Sequence, residues 1–170
     1  QSKNKYIILL HVDVTFSDDF IDVINQSISK YPDFGAFCCV GVNKKLFKKV
    51  KIVISEVNNQ YEVLTSDSCC VVVNKEHKIK FDDKIFDEYH MYVEDYCTQV
   101  RLSLGLKIYT ILNNWIWIQD EREFFQNNPN SCNWFIHHSH TFSNRGAKWG
   151  KWDYYKEKLN YKWQKKIPTT

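Results

Sequence analysis

Three groups of side chains have the types and spacing to do chemistry. His11 and Asp13 flank Val12 at the end of the apolar run Tyr6-Ile-Ile-Leu-Leu10. Such a run is the pattern of a strand buried on both faces, and open α/β sheets gather ligands beyond the carboxyl ends of their strands. A carboxylate there either holds a hard cation that neutralises a diphosphate or caps the helix that follows Ser17. Glu94 and Asp95 stand together where a later helix opens, a place in which free amides and the helix dipole stabilise negative charge. Acids so placed cap the helix, and they also stay ionised at neutral pH, as a general base acting on a hydroxyl must. His137-His138-Ser139-His140 crowds three of the six histidines into four positions, with successive rings on alternating sides of an extended segment. One of these imidazoles with a distant Asp would complete a cation site; the competing reading is a hydrogen-bonded polar loop. A zinc site would need a fourth ligand that this spacing does not supply.

The elements that must position these groups follow from periodicity. After the first strand, Ser17-Asp18-Asp19 supplies a cap, and Phe20, Ile21, Val23, Ile24 and Ile28 fall at helical spacing until Tyr31-Pro32 stops them. Phe34 to Val42 is a second apolar run. Val50–Ile54 and Tyr61–Leu64, joined through Asn58-Asn59, read as a hairpin, and Cys69 to Val73 as another buried strand. Val93, Tyr96, Cys97, Val100 and Leu104 keep a helical period that Gly105 closes. Lys107–Leu112 and Trp115–Ile118 are short strands, residues 119–133 a polar loop, and Trp152, Tyr155, Leu159 and Trp163 one stripe of a final helix. Strands alternating with helices predict an α/β fold, a mixed and largely parallel sheet flanked by helices, formed by residues 1–170 as a single domain.

Composition narrows the function classes. The chain has 170 residues and 44% hydrophobic content with only 5 Gly and 3 Pro, which excludes collagen-like and disordered classes. The first apolar run is far short of the ~20 residues of a membrane helix, so no membrane span is expected. A net charge of +3 does not argue for nucleic acid, but its distribution is uneven. From Arg145 onward eight basic residues face only Asp153 and Glu157, so the tail carries +6 and the rest −3. Such a tail suits a polyanion, peripheral contact of a basic carboxyl-terminal helix with acidic lipid, or simply a solvated helix face. The pairs Cys38-Cys39 and Cys69-Cys70 lie inside apolar runs and no Cys-x-x-Cys occurs. Packing in a reducing, cytoplasmic setting is therefore expected rather than a disulfide framework or a zinc ribbon. Gln1 in place of Met predicts a chain processed or cut from something longer.

Taken as an ordered series, these motifs resemble the carboxyl-terminal, metal-and-acceptor half of a GT-A glycosyltransferase of the family-2-like bacterial and viral type. His11-Val-Asp13-Val resembles the His-Gln-Asp-Val variant of the Asp-x-Asp motif. Thr65-Ser66-Asp67 before an apolar strand is similar to the acceptor-side Asp-Gly strand. Phe81-Asp82-x-x-Ile85-Phe86, then His90-Met-Tyr92-Val-Glu94-Asp95-Tyr-Cys97, Arg101 and Gly105-Leu-Lys-Ile-Tyr109 resemble the run that carries the acidic residues near the acceptor. His137-His138-Ser139-His140 resembles the late histidine motif that returns to the metal and diphosphate. Val93 stands where the family pattern usually carries an acid, displacing the acidic pair to Glu94-Asp95.

The resemblance implies a metal-dependent, inverting transfer of a sugar from a nucleotide-sugar donor to a carbohydrate or other hydroxyl acceptor. On that reading Asp13 with His138 and His140 holds Mn2+ or Mg2+, and His11, His137 and Arg101 contact the nucleotide diphosphate. Asp67, His90 and Tyr92 meet the acceptor, and Asp95 or Glu94 deprotonates it. It also implies that the amino-terminal nucleotide-binding half of such a fold is missing from this stretch of chain. The alternative is a non-catalytic carbohydrate-binding or interaction module that keeps the fold, with Trp115, Trp117, Trp134, Trp149 and Trp152 as sugar-stacking candidates. A nucleic-acid binder ranks last, because the aromatic stripe of the tail reads as a helix packed on the body.

Overall fold

A computed structural model describes residues 3–44, 50–56, 58–87, 90–118, 126, 134–138, 149–164 and 167. Its strands are β1 (Tyr6–Leu10), β2 (Val14–Phe16), β3 (Phe34–Cys38), β4 (Val40–Lys44), β5 (Val50–Ile54), β6 (Glu62–Val63), β7 (Thr65–Ser66), β8 (Cys70–Asn74), β9 (Lys107–Thr110), β10 (Asn114–Ile118) and β11 (Trp134–His138). The helices are α1 (Phe20–Lys30), α2 (Tyr92–Leu104) and α3 (Trp149–Lys162). The fold is α/β, as alternation of the two periodicities requires.

The main sheet has the order β1-β8-β3-β9-β6 and lies between two helices. Side chains alternate across a strand, so β3 and β8 feed two cores at once. Phe34, Phe37 and Val72 face Phe20, Val23 and Ile24 of α1. Ala36, Cys38, Val71 and Val73 face Val93, Tyr96, Cys97 and Val100 of α2. Each such large side chain contributes about 1.5–3 kcal/mol by leaving water. Gly35 lets α2 sit close on β3, since a Cβ there would overlap the Val100 side chain. Gly105 ends α2 at φ 68°, a left-handed turn that glycine adopts without a Cβ clash.

The expectation of a largely parallel sheet is corrected. Only β3/β9 and β10/β11 run parallel among the described pairings; β1/β8, β3/β8, β6/β9, β4/β5, β4/β7 and β2/β11 are antiparallel. The physical reason lies in the β1–α1–β3 unit. Its two strands do point the same way, but β8 inserts between them in the opposite sense. A strand arriving from sixty residues downstream leaves no local signal of where it will pair. The same holds for β5, which pairs with β4, whereas β6 pairs with β9. The expected hairpin of residues 50–54 with 61–64 is therefore absent, although a turn at Asn58, φ 67°, is present.

β1 lies at one edge of the main sheet, with Tyr6 to Leu9 half-buried and Leu10 exposed, where its apolar run predicts burial on both faces. A third cluster joins Tyr155 and Leu159 of α3 to Phe86 and Met91, just ahead of α2. Among the described residues no helix is long and apolar enough to cross a membrane. The five described cysteines are buried and unbridged. Burial pushes the Cys38 thiol up to about 12, so it packs as a small hydrophobe rather than a nucleophile.

Candidate functional site

Strand register brings distant residues together at the end of β1. Leu10 pairs with Cys70, and the ladder continues one step as the His11 amide donates to the Cys69 carbonyl at 3.0 Å. This sets His11 beside the loop that enters β8, with its Nε2 3.0 Å from Ser68 Oγ. The chain then turns into β2, which pairs antiparallel with β11 so that Val14 faces His137. The His138 amide donates to the Asp13 carbonyl at 2.8 Å and fastens the turn. His11 Nδ1 and His137 Nε2 consequently approach Asp13 Oδ1 to 3.7 and 3.4 Å, and the two imidazoles meet edge to face. The three ligand atoms lie within 4.8 Å of one another, a spacing that can hold a metal ion.

Two imidazoles and one carboxylate form a donor set of intermediate softness, suited to Mn2+, Zn2+ or Fe2+ and less so to Mg2+, which prefers oxygen throughout. The chemistry of the site fits a divalent metal. A second partner orients the His11 ring. The Ser68 hydroxyl hydrogen-bonds the Tyr92 phenol, in the sense that favours phenolate. Ser68 Oγ therefore links the Tyr92 phenol to His11 Nε2. With Nε2 engaged by Ser68, Nδ1 is the His11 nitrogen that faces Asp13. An outer partner that orients the ring of a ligating histidine is a regular part of metal sites.

Behind Ser68 lie the acids. Asp67 Oδ1 accepts from the Cys69 amide at 2.7 Å and holds the loop. Glu94 projects from the first turn of α2, and burial, reinforced by the Asp67 charge, pushes its carboxyl up to about 8. The Tyr92 phenol is raised by burial and by the charges of Glu94 and Asp67. A polar path thus runs from Asp13 through His11 and Ser68 to Tyr92, whose phenol feels the charges of Glu94 and Asp67. The α2 start that presents these groups is backed by Met91 at φ 64°, a left-handed conformation that costs a non-glycine residue about 1–2 kcal/mol.

The expected site residues divide accordingly. His11, Asp13, His137, Asp67, Tyr92 and Glu94 come together along this path. His138 faces the opposite side of β11, with Nε2 3.1 Å from Thr15 Oγ1, so His137 takes the place expected for it. Alternation along a strand requires one of the two neighbours to turn away. His140 lies outside the described residues. His90 packs near Tyr155, 6.2 Å between ring centroids, rather than along the path. Arg101 stands seven residues past Glu94, about 10 Å along the helix axis, and donates to the Leu64 carbonyl at 3.3 Å. Asp95 is fully buried and engaged by Lys162, Trp163 and Gln99.

Sequence reasoning missed Ser68, Gln99, Lys162 and Trp163 as members of these networks. Ser68 carries no periodic signal, and only the β1/β8 register sets it opposite His11. Lys162 and Trp163 read as a solvated cation and a packing stripe, because nothing local shows that α3 ends over the start of α2. A shallow depression lined by Asp22, Asn25, Gln26, Ser29 and Lys30 on α1 shares no residue with the site. No family model matches the chain and no curated protein matches it.

Proposed function

We propose that this protein is a metal-dependent glycosyltransferase that moves a sugar from a nucleotide-sugar donor to a hydroxyl acceptor. The observation that carries the reading is the convergence of His11, Asp13 and His137 within 4.8 Å, at the carboxyl end of β1. These three residues would hold the cation, Mn2+ in preference to Mg2+, and leave coordination positions for diphosphate oxygens. When bound, the cation neutralises the charge that develops on the departing nucleoside diphosphate.

The remaining work belongs to the chain's own groups. Tyr92, Ser68 and Asp67 would orient the acceptor hydroxyl toward Glu94. Glu94 takes the hydroxyl proton as the acceptor oxygen forms its bond to the anomeric carbon and the bond from that carbon to diphosphate breaks. One displacement from the opposite side inverts the anomeric centre. Burial leaves Glu94 largely protonated at neutral pH, against the expectation that the acids of this turn stay ionised, and its base form grows as pH rises through about 8. Lys151, Tyr154 and Tyr161 are exposed on α3 and support peripheral contact with an acidic lipid surface, which sedimentation with anionic vesicles tests.

Calorimetric titration with uridine diphosphate, with and without Mn2+, tests the main reading. Binding is expected only with Mn2+ and is expected to vanish in Asp13→Ala. Absence of nucleotide binding in both proteins would sink the reading. Metal-independent binding of a neutral oligosaccharide would favour the carbohydrate-binding module instead.

A further inference from the structure

Asp95 adjoins Glu94 in sequence, yet its surroundings are of another kind. It is fully buried, and each oxygen is taken: Oδ1 accepts from Trp163 Nε1 at 2.8 Å, and Oδ2 from Lys162 Nζ at 2.9 Å and Gln99 Nε2 at 2.8 Å. Lys162 Nζ also lies 2.7 Å from Asp82 Oδ2, while Asp82 Oδ1 accepts from the Ile85 amide at 3.2 Å. Further along α3, Tyr155 donates to Asp87 at 2.5 Å and Lys158 to the Ile85 carbonyl at 3.4 Å. Leu159 and Tyr155 pack against Phe86 and Met91, the latter being the left-handed residue that starts α2. One end of α3 is thus bolted, by charge and by apolar contact, to the segment that sets where α2 begins.

A carboxylate saturated in this way is held rather than poised. Resting on the transferase reading above, we infer that Lys162 and Trp163 are positioning residues: through Asp95 they fix the first turn of α2, and with it the place of Glu94 against Asp67 and Tyr92. Glu94 is then the proton acceptor of the adjacent acids and Asp95 its anchor. The arrangement makes α3 a working part of the site although it contributes no group to the His11–Asp13–His137 cluster. The groups facing Glu94 are Asp67 and Tyr92, with the Cys97 thiol on its own helix.

The test uses the full chain with Lys162→Met, Lys162→Arg, Trp163→Phe, Asp95→Asn and Glu94→Gln. Carboxyl titration by 13C NMR reports on Glu94, its signal assigned by its loss in Glu94→Gln, and Mn2+ affinity is measured by calorimetry on the same samples. Loosening the turn admits water, so Lys162→Met and Trp163→Phe are expected to lower the Glu94 midpoint by at least about one pH unit. Mn2+ affinity should stay within about twofold, and Lys162→Arg should restore the midpoint. Trp163→Phe, the milder change, keeps the test decisive should Lys162→Met unfold. An unchanged Glu94 midpoint in folded Lys162→Met or Trp163→Phe overturns the inference. So does Mn2+-dependent hydrolysis of a uridine diphosphate sugar that Asp95→Asn abolishes and Glu94→Gln spares. Failure of the transferase reading shows separately, as loss of nucleotide binding by the native protein while the titration result stands.

Discussion

The molecule holds two charged clusters of opposite design, one in the first turn of α2 and one at the carboxyl end of β1. Around Asp95 one carboxylate meets an ammonium, an indole N–H and an amide N–H, so each of its oxygens has a donor within the fold. Around Asp13 two imidazoles and a carboxylate converge, all able to turn lone pairs toward one point. Matched donors and acceptors make a structural joint. Converging lone pairs make a receptor for a cation. The same residue type, an aspartate near a helix or strand end, serves either purpose, and only its partners distinguish the two.

Breaking the joint should have the largest effect. Lys162→Met leaves Asp95 charged and buried beside Trp163 and Gln99, and the loss of one partner of such a pair costs about 3–5 kcal/mol. Chemical denaturation of native and variant chains measures it, and a cost near zero would mean that α3 does not depend on the joint. Next comes the receptor. Asp13→Ala and His137→Ala are each expected to lower Mn2+ affinity at least about 100-fold, about 2.7 kcal/mol, with little change in unfolding midpoint without metal. Equal losses of stability in both clusters would erase the distinction between them.

Glu94 lies between the two and should reveal itself through pH. Its carboxyl sits near 8 in the fold against an ordinary value of 4.5, so the folded chain keeps a proton that the unfolded chain has released. Stability from this group is therefore full below pH 4.5, falls as pH rises toward 8, and is constant beyond. Glu94→Gln removes that dependence, and its melting temperature should gain on the native protein progressively across this window. A constant difference between the two melting curves from pH 5 to 8 would place Glu94 in contact with water. Ser68→Ala should cost about tenfold in Mn2+ affinity, since it releases the His11 ring without removing a ligand. The smallest effect belongs to His138→Ala, which should leave Mn2+ affinity within about twofold. A large loss there would move the receptor to the other face of β11.

Much of this was legible in the chain itself. The bounds of α1 and α2, the left-handed Gly105 that closes α2, and the short strands follow from residue period and from stop signals acting within a few residues. His11, Asp13 and the late histidines stood out by type, as groups able to ligate a cation, while helix capping and a polar loop remained open readings of the sequence. The parallel sheet expected from strand–helix alternation did not follow, since β8 enters between β1 and β3 from far along the chain. Nor could the sequence choose between His137 and His138, which differ only in which side of β11 each faces.

What the sequence determined by itself, then, is local: where the backbone coils or extends, where it must turn, and which side chains carry lone pairs or charge. Tertiary structure alone decided which of them meet. The β1/β8 register set Ser68 against His11, the β2/β11 pairing turned His137 toward Asp13, and the docking of α3 closed Lys162 and Trp163 over Asp95 while Glu94 kept its acidic neighbour. These pairings rest on long-range packing of apolar faces, whose energy depends on the area buried and not on the order of residues along the chain. A one-residue slip in register would leave every local signal intact and dissolve the site.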